Sequence, residues 1–515
     1  MRLKAKYTLL NIVLVLLLIN NLNAQNFEFS HLPIIVINTN GGTIVDDPKI
    51  DADMGIIDNG ESLNYLTDTF NNYDGQIAIE TRGDWTQTFD KKSYGFELRN
   101  SLGEDIDASL LGLPEEEDWI LYASFLDRTF IRNVLTHELW REMGYWSSRT
   151  RYCELVLNGE YRGIYILMEK VKRDNNRLDI AKLETTDNDG DDLTGGYLIR
   201  MDWPDGGGWY SQYGTMGGNP YYFQYEYPKE DDITSQQELY IQQYINDFED
   251  AVFNNNFVNN DGIRYDSLIV LSSFVDLFII NELSRSVDAY KSSSYIHKDK
   301  DSNGGKLKAG PIWDFNMAYG NAAWCGTSTS SGWHYPMLEP SCQDIEFMPL
   351  WWERFMIDSV FTNKAACRWE ELRQGPLHMD SIHNFIDNQV YELDSAIDRN
   401  FQKWDILGVQ LFDEPLPVPI DYAGEIDRLK DWFTDRITWL DNNFYDCEIS
   451  CLLGDVNGDG GFNIQDIVVM VNCVLAENCD ELTYTCAADI NGDGGFNVQD
   501  IVVLVNCVLA DNCSD

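Results

Sequence analysis

The sequence is poor in positive charge: 37 Lys and Arg face 85 Asp and Glu in 515 residues, a formal net charge of −48. A field of that sign repels phosphodiester backbones and anionic bilayers, so nucleic acid and membrane surfaces are excluded as default partners, while divalent cations are favoured. From residue 446 on there is no Lys or Arg at all. Histidine is scarce as well. His378 and His383 are five apart, off the i, i+4 spacing that sets two ligands on one helix face, and no zinc site is expected. Beyond the N-terminus no stretch reaches the roughly 20 apolar residues of a membrane span. No paired-carboxylate glycosidase motif is recognisable.

What is present begins with Arg2, Lys4 and Lys6, an apolar run from Leu9 to Ile19, and Leu22–Asn23–Ala24. That order reads as a secretory signal peptide over residues 1–24, which predicts a protein secreted or held at the cell surface, with no membrane span after cleavage. Eleven cysteines suit such an oxidising setting, and their odd number leaves at least one thiol unpaired in a monomer. Cys325 and Cys342 flank a Gly/Ser-rich loop and are the preferred pair.

Two carboxylates organise the large N-terminal part. Asp288 and Asp314 lie 26 positions apart, with Lys291 and Trp313 close by in sequence. Ser292 to His297 suits a strand, Asp299 to Gly305 a polar turn, and Lys306 to Trp313 a second strand, so the segment reads as a hairpin that returns one acid to the other. Phosphoryl transfer asks for that geometry, because one acid orients the attacking hydroxyl while another holds a divalent metal. An apolar helix over residues 267–283 leads into Asp288. Upstream, Ile77 to Leu98 reads as a hairpin with its tip, Gly83 to Asp90, in solvent and Lys91 and Lys92 on the return arm. Neither Walker A nor GxGxxG spacing occurs there. Those lysines serve either as phosphate contacts or as solvated surface groups.

Asp127 to Met143 has helical spacing, with Asp127 either an N-terminal cap or part of a control element. Cys153 to Val171 reads as two strands joined at Asn158–Gly159, a dipeptide that tolerates positive φ. Glu169, at its end, is either a site residue or the partner of Lys170 or Arg173. The acidic run Asp187 to Asp192 reads as a solvated loop rather than a calcium trap. Residues 320–345 read as a lid or substrate loop, and residues 346–445 as helical with Trp351, Trp352, Trp369, Trp432 and Trp439 in the core.

The tail contains a duplication. Gly454 to Cys479 recurs as Ala488 to Cys513 at an offset of 34 residues, each copy carrying oxygen side chains at loop positions 1, 3, 5, 9 and 12 and a Gly at 6. In the first copy the candidate ligands are Asp455, Asn457, Asp459, Asn463 and Asp466, with the Gly461 carbonyl at position 7. In the second they are Asp489, Asn491, Asp493, Asn497 and Asp500, with the Gly495 carbonyl. Hard oxygens at this spacing suit two Ca²⁺ ions. IVVMVNCVL after the first loop is β-branched, yet the twelfth ligand at a helix start argues for a helix, with Ile467, Val471 and Val474 on one face. Seven cysteines after residue 446 suggest disulfide reinforcement. Without basic residues the loops repel themselves, so folding is expected to need metal.

Five ordered blocks carry a resemblance. Arg82–Gly83, Lys91 to Tyr94, Asp127–Arg128 with Arg132–Asn133, Leu157 to Val171, and Asn281 to Phe315 ending in KLKAGPIWDF look like the signature of the CotH kinase family, atypical protein-kinase-like proteins. The tail resembles a type I dockerin. The resemblance implies an α+β fold: a kinase-like domain over residues 27–445, with its motifs in 75–320, and a small all-α dockerin-like domain over 446–515. It implies ATP with Mg²⁺ or Mn²⁺, Asp288 as the catalytic acid, Asp314 and Asn316 at the metal, Arg82 with Lys91 or Lys92 at the phosphates, and Glu169 and Trp313 beside the nucleotide. Asn316 stands where the family often has Asp, and Ser292 to Ser294 where some relatives place Asn. The implied activity is transfer of the γ-phosphate to Ser or Thr of a secreted or cell-surface acceptor protein, with a cohesin-like partner for the tail. A non-catalytic extracellular scaffold and a component of a polysaccharide-degrading complex are the alternatives.

Overall fold

The computed structural model describes residues 27–214, 220–336, 349–447, 453–476, 478–479, 482, 484–510 and 513. The residue 1–24 reading, Cys342 and Cys451 lie outside them. The chain divides into two compact units between Phe444 and Tyr445.

In the first unit, strands β1 (Ile34–Asn38), β2 (Ile50–Ile57), β3 (Tyr73–Arg82), β4 (Ser93–Arg99) and β5 (Asp118–Tyr122) run in sequence. After helix α1 (Arg132–Glu142) come β6 (Thr150–Leu157) and β7 (Glu160–Glu169), and the seven strands close into a barrel of order β1-β2-β3-β4-β5-β7-β6. Closure rests on the parallel pairing of Ile34 with Glu154, and it leaves no free edge within the barrel. Alternate residues such as Ile35, Ile37, Ile77, Ile79, Phe96, Leu98 and Leu167 fill the interior, as the two-residue period of a strand requires. Asn158 and Gly159 have φ of 52° and 76°, the positive values their turn was expected to need.

A second, antiparallel sheet follows. Its strands are β8 (Tyr197–Met201), β9 (Gly208–Gly214), β10 (Pro220–Tyr227), β11 (Ser294–Lys298) and β12 (Leu307–Ala309), in the order β9-β10-β8-β11-β12. Between β10 and β11 lie α2 (Ser235–Phe253), which opens on a Thr234–Gln237 capping box, and α3 (Leu271–Ser284), buried from Ser273 onward. The β11–β12 hairpin exists as expected, with Ile296 opposite Ala309, but its second strand is only three residues long. Likewise α3 starts at Leu271 and α1 at Arg132, each later than its apolar pattern suggested.

Helices α4 (Ser359–Arg373), α5 (Met379–Lys403) and α6 (Tyr422–Asp441) complete the unit. Trp351, Trp352, Trp369 and Trp432 are buried in its largest apolar cluster and Trp439 packs against it, so these rings are core. The lid reading of 320–345 does not hold for the residues described. Arg285 donates to the Gly326 and Gly332 carbonyls, Arg436 to those of Ser330 and Gly332, and Glu282 accepts from His334 N and Tyr335 N. A loop fastened by three buried charged groups is part of the frame.

In the second unit α7 (Ile464–Ala476) and α8 (Val498–Ala510) are helices despite their β-branched content. Their shared core is Val456, Met470, Ala488 and Leu504, with Ile467 and Val474 only partly buried beside it, so the buried face is centred on Met470. Disulfides Cys473–Cys479 and Cys507–Cys513 tie each helix to the residues that follow it. Cys325, Cys367 and Cys447 are also disulfide-bonded, and Cys153 is a buried free thiol.

Candidate functional site

α3 delivers the first acid. Its buried body ends at Arg285 in the left-handed region, φ 45°, and the chain turns at once into the Asp288 loop. There the Asp288 carbonyl accepts from Lys291 N and Ser292 N, while the Ser292 hydroxyl donates to the Asp288 carboxylate at 3.0 Å. Asp288, Asn281, Ser286, Ser293 and Trp313 line one small cavity. The Asn281 Nδ2 and Ser286 Oγ atoms are buried there without a hydrogen-bond partner among the described residues.

The β11–β12 hairpin and α1 deliver the second acid. Asn133 Oδ1 accepts from Phe315 N at 2.6 Å, Arg132 Nε donates to the Ala318 carbonyl at 3.1 Å, and Thr136 meets the Tyr319 hydroxyl at 2.8 Å. These three contacts strap the residue 315–319 segment to one helix. Asp314, just before it, has φ 64°, a conformation strained for a residue with a Cβ and held only where surroundings over-determine it.

Both acids share one field. Burial pushes the Asp314 carboxyl up to about 7, the Asp288 and Asp202 carboxylates push the same way, and Arg82 opposes them. Asp314 accepts no hydrogen bond among the described residues, so its charge is countered only through space. The Arg82 guanidinium, at the end of β3, lies 5.5 Å from the Trp313 ring centroid. Asn316 is buried near the Tyr122 phenol, whose pKa is raised by burial and then by Asp314 and Asp127.

Asp202 was absent from the sequence expectations. It follows β8, whose Met201 pairs with Ser294 at the start of β11; its carboxylate accepts from Trp203 N at 2.9 Å, and burial raises its pKa. Only the pairing of strands more than 90 positions apart brings it beside the Asp288 loop. An acid directly after a strand was the one trace in the sequence.

Three expected residues are placed elsewhere. Lys91 is buried, with Nζ donating to the Ile164 carbonyl at 2.5 Å and to Asn400 Oδ1 at 3.1 Å between the Phe130 and Tyr165 rings, and burial lowers its pKa well below the usual lysine value. It joins the barrel to α5 and is closed to a phosphate. Lys92 Nζ donates to the Gln87 and Phe89 carbonyls, bracing its own loop, whose tip is a 3₁₀ turn at Trp85–Thr88 rather than a free loop. Glu169 is fully buried and forms a two-pronged ion pair with Arg149 at 2.6 and 2.8 Å, not with Lys170 or Arg173. Asp127 is not the cap residue of α1, which is Ile131 and has no side-chain cap; its carboxylate accepts from Thr129 N and Arg132 N ahead of the helix and pairs with the Arg132 guanidinium at 2.6 Å. In the acidic run, Asp191 accepts from Ser302 and Asp192 pairs with Lys300.

The second unit repeats its loop geometry. Asp466 accepts from Asn457 N and Asn463 N as Asp500 does from Asn491 N and Asn497 N. Asp455 accepts from Gly460 N as Asp489 does from Gly494 N, and Asp459 from Gly461 N as Asp493 does from Gly495 N. In the first loop, oxygens of Asp455, Asp459 and Asp466 lie within 4.8 Å of one another, and Asp455 Oδ1 is buried without a partner. Like charges gathered around an orphaned oxygen fit a cation.

The two units together define an α+β, kinase-like protein bearing a calcium-binding module. A family model described as CotH kinase protein matches residues 79–440, so the chain belongs to that family. Residues 453–509 match a model described as Dockerin type I domain. No curated protein matches the chain.

Proposed function

We propose that the chain is an exported protein kinase that transfers the γ-phosphate of ATP to Ser or Thr of an extracytoplasmic acceptor, tethered through its calcium-loaded dockerin domain to a cohesin-like partner. One observation carries the reading: Asp288 and Asp314 arrive from separate elements in one electrostatic neighbourhood, with Arg82 stacked beside them on Trp313. Asp288 accepts the proton of the acceptor hydroxyl and orients it for in-line attack. Asp314, which accepts no hydrogen bond among the described residues, and Asn316 would hold Mg²⁺ or Mn²⁺, which would supply charge neutralisation at the phosphates. Arg82 offsets phosphate charge, with whatever donor capacity Lys92 retains beyond its loop carbonyls. Family membership, the hard-oxygen loops and the cysteine-rich tail support the reading.

A second reading rests on the lysines. Lys91 is enclosed and Lys92 braces its own loop, so a non-catalytic scaffold retaining the kinase-like frame accounts for both. Incubation with γ-labelled ATP and Mg²⁺ or Mn²⁺, beside Asp288→Ala and Asp314→Ala, separates the two. Transfer by the wild type alone supports the kinase, and no labelling in any of the three with any acceptor or metal leaves the scaffold.

A further inference from the structure

Acids outnumber bases 85 to 37 in this chain, so carboxylates that could pair a cation are plentiful. Arg82 and Arg200 nevertheless form no ion pair among the described residues, and both are partly exposed. Arg82 has the Trp313 ring as its neighbour, at 5.5 Å. Arg200 donates from Nε and Nη2 to one neutral oxygen, Gln224 Oε1, at 3.2 and 2.7 Å. The Gln224 amide donates in turn to the Asp205 carbonyl, which turns its oxygen toward the guanidinium. A guanidinium held by a carboxamide is oriented yet keeps its full charge, and the Nη1 edge of Arg200 donates to nothing among the described residues.

Strand register shows which way Arg200 faces. On β8 it is opposite Tyr295 of β11 and Gln224 of β10, and residues opposite one another in antiparallel strands project from the same face. Two positions back, Leu198 shares that face, where it packs with Tyr295, Val171 and Trp313 in one apolar cluster. Arg200 therefore stands on the side of the sheet turned toward Trp313, which Arg82 approaches from the end of β3. Burial and then Glu226 raise the pKa of the Tyr295 phenol, and Arg200 and Arg82 both lower it, so the two guanidiniums act on one side chain from separate elements. Tyr295 lines the same small cavity as Asp288 and Trp313.

We propose that Arg200 is a second phosphate-binding residue, which together with Arg82 holds the triphosphate of the nucleotide between β8 and the end of β3. The inference rests on the proposed kinase reading and deepens it, by naming the cation that stands in for the enclosed Lys91 and the loop-bound Lys92. Guanidiniums suit this task because their planar donors meet two phosphate oxygens at once. The neighbouring Asp202 acts on Arg200 only through space, so no ion pair has to break before a phosphate is taken.

The test uses the full chain in calcium and Mn²⁺ with a fluorescent ATP carrying an N-methylanthraniloyl group, and with adenosine and inorganic triphosphate as competitors. Arg200→Gln is expected to weaken ATP and inorganic triphosphate about tenfold, the loss of one charge-assisted contact, and to leave adenosine unchanged. Arg200→Lys keeps the charge but not the planar donor pair, and should cost about threefold. Because Arg200 forms no ion pair among the described residues, both variants should melt within about 2 °C of the wild type. In phosphorylation assays Arg200→Gln should raise the KM for ATP and leave that for the acceptor as it was. Wild-type ATP affinity in Arg200→Gln, an equal loss for adenosine, or a rise in the acceptor KM alone overturns the phosphate site and leaves the kinase reading standing. Arg200-dependent ATP binding with no transfer to any acceptor overturns the kinase reading instead and keeps the phosphate site, and a wild type that binds no ATP overturns both.

Discussion

Replacing Asn133 by Ala tests how the second acid is held. The substitution leaves the Phe315 N–H buried without its acceptor, which costs about 1–3 kcal/mol. It also frees Asp314 from a left-handed conformation, φ 64°, whose strain is of similar size, about 1–3 kcal/mol. Relaxation of the strain offsets part of the lost hydrogen bond, so net destabilisation should stay below about 2 kcal/mol. Metal binding feels the change differently. The relaxed Asp314 must be returned to its strained position each time a divalent ion binds, and at 1.4 kcal/mol per decade this weakens affinity by roughly 5- to 150-fold. Calorimetric titration with Mn²⁺, in calcium sufficient to fill the tail loops, and thermal unfolding of the same sample measure the two effects. A variant that melts much earlier yet binds Mn²⁺ like the wild type would refute the strap, because the contact would then be mere packing.

Three further outcomes are expected. Burial pushes Glu249 from the ordinary 4.5 to about 7, where its carboxylate accepts from Ser211 and Trp351, so the native state holds a proton the unfolded chain releases and stability falls as pH rises through that window. At about 1.4 kcal/mol per pH unit the fall is at most about 3.5 kcal/mol, and Glu249→Gln should flatten the difference in melting temperature between pH 5 and 7.5. Chelation by EDTA should remove helical signal from the second unit, since each loop occupied at a hundred times its Kd adds about 2.7 kcal/mol to folding, and an unchanged circular dichroism spectrum would contradict metal-dependent folding. Gly458→Ala should weaken the first loop by more than 1 kcal/mol or so, because φ is 73° and a Cβ there would sit 1.9 Å from the Tyr484 ring, and calcium titration should show that loop alone losing affinity.

Elements with one strong local pattern were legible from the chain. The Asn158–Gly159 hairpin, the buried helix before Asp288 and the duplicated calcium loops each rest on contacts within about 25 positions, which spacing and turn chemistry report directly. Long-range partners were not legible. Lys91 reads as a surface lysine until β7 and Asn400 close over it, and Glu169 finds Arg149 across the open end of the β6–β7 hairpin rather than a sequence neighbour. The 326–335 loop is rich in Gly and Ser, which locally means mobility. Three buried charged side chains from α3, its C-cap and α6 override that, because a fixed carbonyl beside a buried guanidinium cannot be released without leaving the charge unpaired.

The balance of charge at the site makes a demand on the order of binding. Asp202, Asp288 and Asp314 share a neighbourhood with two guanidiniums, Arg82 acting on Asp314 and Arg200 on Asp202, and at an effective dielectric near 20 a charge pair at about 5 Å is worth about 3 kcal/mol. Three carboxylates against a triphosphate repel it by more than the two guanidiniums attract it, and the net charge of −48 adds no long-range help. On the proposed kinase reading, nucleotide entry is expected to become favourable only when the acids have already been neutralised, by a divalent ion or by a proton on Asp314. That reading therefore predicts metal before nucleotide, or the two together, with the strained Asp314, which accepts no hydrogen bond among the described residues, as the carboxylate a cation would pair.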